Sequence, residues 1–168
     1  MQINLKEMFD DIVFDKTVDP RQGIGTEALD AISCLTPIVN VDLLIKNPEG
    51  KVLVSWRDDD ICGSGWHLPG GIVRYKENLL DRVHKTAVAE LGVDVNVDEK
   101  PLEINEIILE QEKRGHFISI LYMCKPVEEI SVKTETTLTP GELHWYDYGK
   151  DEQLVKGQRG IYTKYLEG

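Results

Sequence analysis

The residues of this chain best suited to chemistry lie in one stretch. Trp66-His67-Leu68-Pro69-Gly70-Gly71 leads through Glu77 to Lys85-Thr86-Ala87-Val88-Ala89-Glu90-Leu91-Gly92-Val93. Pro69-Gly70-Gly71 has no side chain that blocks approach, so a backbone carbonyl of the turn can reach a cation. Glu90 is the carboxylate available to share that cation from a following helix. Glu77 and Lys85 are read as a supporting pair that orients loop and helix rather than as reacting groups.

These groups need a strand, a turn and a helix to hold them. Leu80, Val83, Ala87 and Leu91 recur at helical spacing and predict a helix between Asn78 and Leu91, with Gly92 as a left-handed C-terminal cap. Residues 38–45 and 52–56 are rich in Val, Ile and Leu, and Asn47-Pro48-Glu49-Gly50 between them predicts a β-hairpin. Further strands are expected over residues 66–68, 104–109, 117–123 and 143–146, a loop or edge region over 125–139 and a closing helix over 157–166. Near the start, Asn4 and Glu7 form a capping-box pattern, followed by Leu5, Met8, Phe9, Ile12 and Val13 at helical spacing. Asp19-Pro20 and Gly23-Ile24-Gly25 break the chain, and Thr26 is expected to cap a second short helix. The expected organisation is a helical extension over residues 1–36 packed on an α+β domain over residues 37–168.

Bulk properties fit that picture. The chain has 168 residues, 41% hydrophobic and 29% charged, which suits one soluble globular domain. A formal net charge of −11 without a Lys/Arg cluster argues against nucleic acid as a partner. A small nucleotide stays open, because one divalent cation and a few basic side chains reverse the local potential. Cys34, Cys62 and Cys124 have neither CxxC spacing nor His at zinc-ligand intervals, so reduced thiols are expected. Glu7, Asp10 and Asp11 stand where a signal peptide needs a basic start and an apolar run, and no stretch approaches a membrane span. The expected location is the cytoplasm.

The central motif resembles the signature of the Nudix hydrolases: G, five residues, E, seven residues, then REUxEExGU with U apolar. Gly71, Glu77, Glu90, Gly92 and Val93 fall in register, and Lys85 replaces the Arg. Thr86 and Ala89 occupy two positions that are glutamates in the common signature, so Glu90 is the one acid left of three. The pattern is most similar to the GDP-mannose mannosyl hydrolase branch, and Val41-Asp42-Leu43-Leu44, Val52 to Arg57, Gly65-Trp66 and His116-Phe117 keep its order. The resemblance implies an α/β/α sandwich with a mixed, curved β-sheet and a loop-helix-loop catalytic motif. It also implies hydrolysis of a nucleotide sugar with Mg²⁺ or Mn²⁺ as cofactor, water attacking the anomeric carbon, and a homodimer.

Carried onto this sequence, the resemblance makes Gly70 and Glu90 the metal ligands, Arg57 the group that stabilises the leaving diphosphate, and Asp42 a substrate contact. His116, just before an apolar strand, is equally a phosphate donor or an ordinary strand-end histidine. The branch's Gln ligand and His base precede its last strand. Here Thr139 and Pro140 stand in those places, which makes nearby Glu142 and His144 the substitutes if the loop brings them to the cleft. Ile72 also replaces the basic residue that follows the double glycine in the branch. The lost acids support an alternative: a catalytically weak or inactive Nudix-fold domain that binds a nucleotide derivative such as ADP-ribose. A third possibility is an interaction module.

Overall fold

The computed structural model describes residues 19–133 and 135–167, together with Asn4, Lys6, Glu7 and Asp10. Apart from these last three positions, the amphipathic stretch expected over residues 5–13 lies outside the described residues. The elements are α1 (Thr26–Ser33), β1 (Ile38–Leu44), β2 (Leu53–Asp59), β3 (Gly63–His67), β4 (Gly70–Ile72), α2 (Leu79–Leu91), β5 (Val95–Val97), β6 (Glu103–Ile108), β7 (His116–Pro126), β8 (Leu143–Trp145) and α3 (Lys156–Leu166). Among the described residues no helix is long and apolar enough to cross a membrane.

Two sheets form. One has the order β4-β1-β7-β5, with β6 also on β7, and the other is β3-β2-β8. β1 and β7 run parallel, while every other pairing is antiparallel. The hairpin expected over residues 38–56 is therefore corrected. Its turn closes through the Asn47 and Leu53 backbone N–H groups and a single bridge between Lys46 and Val52, after which β1 and β2 diverge into different sheets. Each of the two strands is a run of mostly buried residues, which suits a central position in its own layer.

Alternation along β1 builds two cores. Val41, Leu43 and Ile45 face one way and pack with Val83, Ala87 and Leu91 of α2. Leu44 faces the other way, into the cluster that holds Val54, Trp56 and Trp66 with Tyr162 and Leu166 of α3. Helices thus cover both sides, giving the expected α/β/α sandwich. Each fully buried Leu or Val contributes about 1.5–3 kcal/mol through burial. Helix α2 follows its apolar stripe and ends where Gly92 adopts φ 75°, its N–H donating to the Val88 carbonyl. For α1 the cap position falls on Gly25, and Thr26 makes no side-chain capping bond, contrary to expectation.

Candidate active site

The double glycine is required by what approaches it from each face. In the β1–β4 ladder Val41 pairs with Gly71 and Asp42 with Gly70. The Leu43 N–H donates to the Pro69 carbonyl and the Val73 N–H to the Val39 carbonyl, so Val41–Gly71 is the hydrogen-bonded pair and Asp42–Gly70 is not. The Gly70 N–H and C=O consequently point off the open edge of β4. A Cβ on Gly70 would run into the Asp42 carboxyl and come within 2.9 Å of the Val41 carbonyl. A Cβ on Gly71 would collide with Thr86 of α2. Thr86 thus stands where the signature has an acid and serves as a close packing contact; it is 3% exposed and its Oγ1 has no partner.

Glu90, on α2 beside that edge, is the group these constraints position. Its Oε2 is buried without a hydrogen-bond partner. Burial pushes its pKa up to about 7, against the pull of the Gly70 N–H and of Arg57, while Asp42 pushes it further up. An orphaned, buried carboxylate oxygen beside an outward-facing glycine backbone fits a single divalent ion. A cluster of ions has no such donor set: among the described residues no three His, Cys, Asp or Glu side chains converge on one point.

The adjoining cleft has a volume of about 160 Å³, and its wall includes Asp42, Arg57, His67, Gly70, Arg114 and Gln158. Glu90 is not part of the wall proper; three residues of the wall, Gly70, Arg57 and Asp42, bear on its carboxyl. Arg57, at the end of β2, pairs through Nε with Asp59 at 3.2 Å and donates from Nη1 to the Cys62 sulfur at 3.3 Å. Asp42 is 2% exposed and accepts from Ser119, from Tyr162 at 2.7 Å and from Asn40 at 3.0 Å. Burial raises its pKa, and these three donors and Arg57 counter it.

His67 is a cleft residue that strand alternation could not assign. Its Nδ1 lies 2.7 Å from the Leu68 carbonyl, which can only accept, so the neutral ring carries its proton on Nδ1 and keeps Nε2 as a lone pair. Burial, then Arg57, lowers its pKa to about 4.

Glu77 anchors the loop to the helix. Its carboxylate accepts from the Arg74 N–H at 2.9 Å, from Arg82 at 2.7 and 2.9 Å and from Lys85 at 2.8 Å. Burial alone would raise its pKa, but these hydrogen bonds outweigh it and hold the group at about 2. Arg82 is the partner that the signature did not point to, although it lies one helical turn before Lys85.

Three candidates are corrected. Glu142 accepts from the Thr137 N–H and hydroxyl and from the Thr139 N–H, which uses its carboxylate to close the loop before β8. His144 stacks on Trp66 with ring centroids 5.1 Å apart and places Nε2 2.8 Å from Asp151. Neither belongs to the cleft wall. His116 also falls outside it, 3.1 Å from the exposed Glu106, because β7 turns the next residue, Phe117, inward instead. Gly70, Glu90, Arg57 and Asp42 are brought together.

Solved structures resemble this fold over most of the chain, and a curated relative matches about half of its sequence. A curated relative, the low-salt glycan biosynthesis protein Agl8 of Haloferax volcanii, is 37% identical over 81 residues, which is 48% of this chain and 51% of that protein. The chain thus spans about half the length of that relative. Among solved structures, a MutT NUDIX hydrolase from Burkholderia pseudomallei superimposes with a TM-score of 0.61 at 22% identity, covering 79% of this chain and 97% of that one. A MutT protein from Methanosarcina mazei gives 0.55 at 22% identity over 77% and 94% of the two chains. Both likenesses concern the fold. The NUDIX domain family model matches residues 36–164, and with the glycine turn, Glu77 and Glu90 in register over that span, the chain belongs to the Nudix domain family.

Proposed function

We propose that this protein is a divalent-metal-dependent hydrolase of a nucleoside diphosphate derivative, and that its substrate is a nucleotide sugar of the GDP-mannose type. The observation that carries the reading is the unpartnered Glu90 oxygen beside the outward-facing Gly70 backbone, next to a cleft that contains Arg57. Glu90 and the Gly70 carbonyl would hold Mg²⁺ or Mn²⁺, which supplies charge neutralisation for a diphosphate. Arg57 adds a fixed cation for charge that develops on the leaving group. His67, neutral with Nε2 free to accept, is suited to orient a water or a sugar hydroxyl. At about 160 Å³ the cleft is smaller than the roughly 300–1,000 Å³ of a full ligand pocket, so it suits the reacting portion of the substrate, with the remainder along its open side. The glycan-biosynthesis name of the Haloferax relative supports the sugar half of the reading.

Hydrolysis of GDP-mannose in ¹⁸O-labelled water tests it. Release of GDP and labelled mannose supports attack at carbon. GMP plus mannose phosphate would refute the branch assignment and retain the hydrolase. A second reading, ligand binding without turnover, is favoured by the engagement of Glu142 and His144 elsewhere, which removes two candidate bases from the cleft. Thermal stabilisation by a nucleotide sugar or ADP-ribose, with no product in Mg²⁺ or Mn²⁺, would establish it.

A further inference from the structure

A second arginine reaches the cleft wall from a part of the chain that the signature does not touch. Arg114 lies in the connection between β6 and β7 with φ 49°, a left-handed conformation that costs a non-glycine residue free energy and persists where neighbours enforce it. The neighbours come from α1. The Ser33 hydroxyl accepts the Arg114 backbone N–H at 2.8 Å, and Asp30 accepts its Nε at 2.8 Å. Gln111 ties the same connection to the β2–β3 turn, donating to the Arg114 carbonyl at 3.3 Å and to the Ile61 carbonyl at 3.0 Å. Ile61 adjoins Cys62, which receives the Arg57 hydrogen bond, so one linked frame positions both cleft arginines.

The Asp30 contact uses only the Nε edge of the guanidinium. Among the described residues the two terminal nitrogens of Arg114 donate to no protein acceptor, although the side chain is only 20% exposed. That leaves planar, fixed donors in the wall of a small cleft, the geometry that suits a phosphate oxygen pair. In a chain of net charge −11, a wall that sets Arg57 and Arg114 against Asp42 and Asp59 is a local departure from the acidic average. Resting on the proposed function, we infer that Arg114 is a second anion-binding residue of this site and contacts the diphosphate of the substrate. Residues 26–33 hold it, which makes the segment before the family domain part of the binding site.

Calorimetric titration with inorganic pyrophosphate at constant Mg²⁺ tests this on wild type, Arg114→Gln, Arg114→Lys, Arg57→Gln and Lys164→Gln. The last removes the same charge from a distant pair with Glu103. Arg114→Gln is expected to weaken binding about 10- to 100-fold, with a smaller loss for Arg114→Lys and none for Lys164→Gln. The plot of log Kd against log salt should also become shallower in Arg114→Gln and not in Lys164→Gln, a change that a loosened loop would not produce. If Arg114→Gln fails to fold, the lysine variant carries the test, since loss of the planar fork should still weaken binding several-fold. Wild-type affinity and salt slope in the Arg114 variants, with binding collapsed in Arg57→Gln, would overturn the inference, leave Arg114 a loop clamp and spare the functional reading. No pyrophosphate binding by wild type would overturn both.

Discussion

Replacing Glu90 by glutamine removes the negative charge that folding buries beside Gly70 while keeping the shape of the side chain. The folded carboxyl has a pKa near 7 against an ordinary value of 4.5, so between those values the folded state holds a proton that the unfolded chain has released. Stability from this group is complete below pH 4.5 and is lost as the pH rises through 7. At about 1.4 kcal/mol per pH unit the interval amounts to roughly 3 kcal/mol. Without added metal, Glu90→Gln should therefore be more stable than wild type by under about 1 kcal/mol at pH 5 and by roughly 3 kcal/mol at pH 8. The latter corresponds to a melting temperature about 6–10 °C higher. The difference between the two proteins is the quantity to follow. His67, depressed to about 4 from 6.5, imposes the opposite slope on each, its stability being lost as the pH falls below 6.5. Thermal denaturation in EDTA from pH 5 to pH 8 reads the difference directly. A glutamine variant less stable than wild type at pH 8, or a difference that does not change with pH, would refute the claim that Glu90 is an unpaired buried acid.

Other substitutions probe the site and its frame. Arg57→Gln should lower kcat/KM on a nucleotide sugar by about 100-fold or more, whereas His144→Gln, altering a residue stacked on Trp66 away from the cleft, should leave kcat/KM of the folded protein unchanged. Glu77→Gln should cost about 2–3 kcal/mol at pH 7 by stripping Arg82 and Lys85 of their acceptor. With the wild-type carboxylate depressed to about 2, that loss is full above pH 4.5 and disappears as the pH falls through 2, a profile that urea denaturation can follow. Gly70→Ala should destabilise by about 1–3 kcal/mol, because its Cβ meets the Asp42 carboxyl, and chemical denaturation measures it.

The parts of this protein that could be read from sequence are those fixed by local spacing. Helix α2 follows from Leu80, Val83, Ala87 and Leu91 because a helix forces that period, and Gly92 ends it because few other residues accept its backbone angle. The register of Gly71, Glu77 and Glu90 is likewise a local property. Partner choice was not legible: the apolar runs of β1 and β2 are compatible with a hairpin or with two separate sheets, and only the rest of the fold decides between them. His67 could not be assigned to the cleft because alternation leaves the sense of a short strand undetermined. Arg114 was invisible for a different reason, since its anchor Asp30 lies 84 residues away in the chain. Glu142 and His144 were misplaced because closeness in sequence to a family's ligand positions says nothing about which way a loop turns.

The proposed hydrolysis depends on one divalent ion shared by Glu90 and the Gly70 backbone. Paramagnetic resonance titration of Mn²⁺ into wild type and Glu90→Gln, each with and without GDP-mannose, measures this most directly. A single bound Mn²⁺ per wild-type chain, held more tightly with the nucleotide sugar, is expected, with no such binding in Glu90→Gln. Equal Mn²⁺ binding by the two proteins, or none by the wild type in either condition, would contradict it.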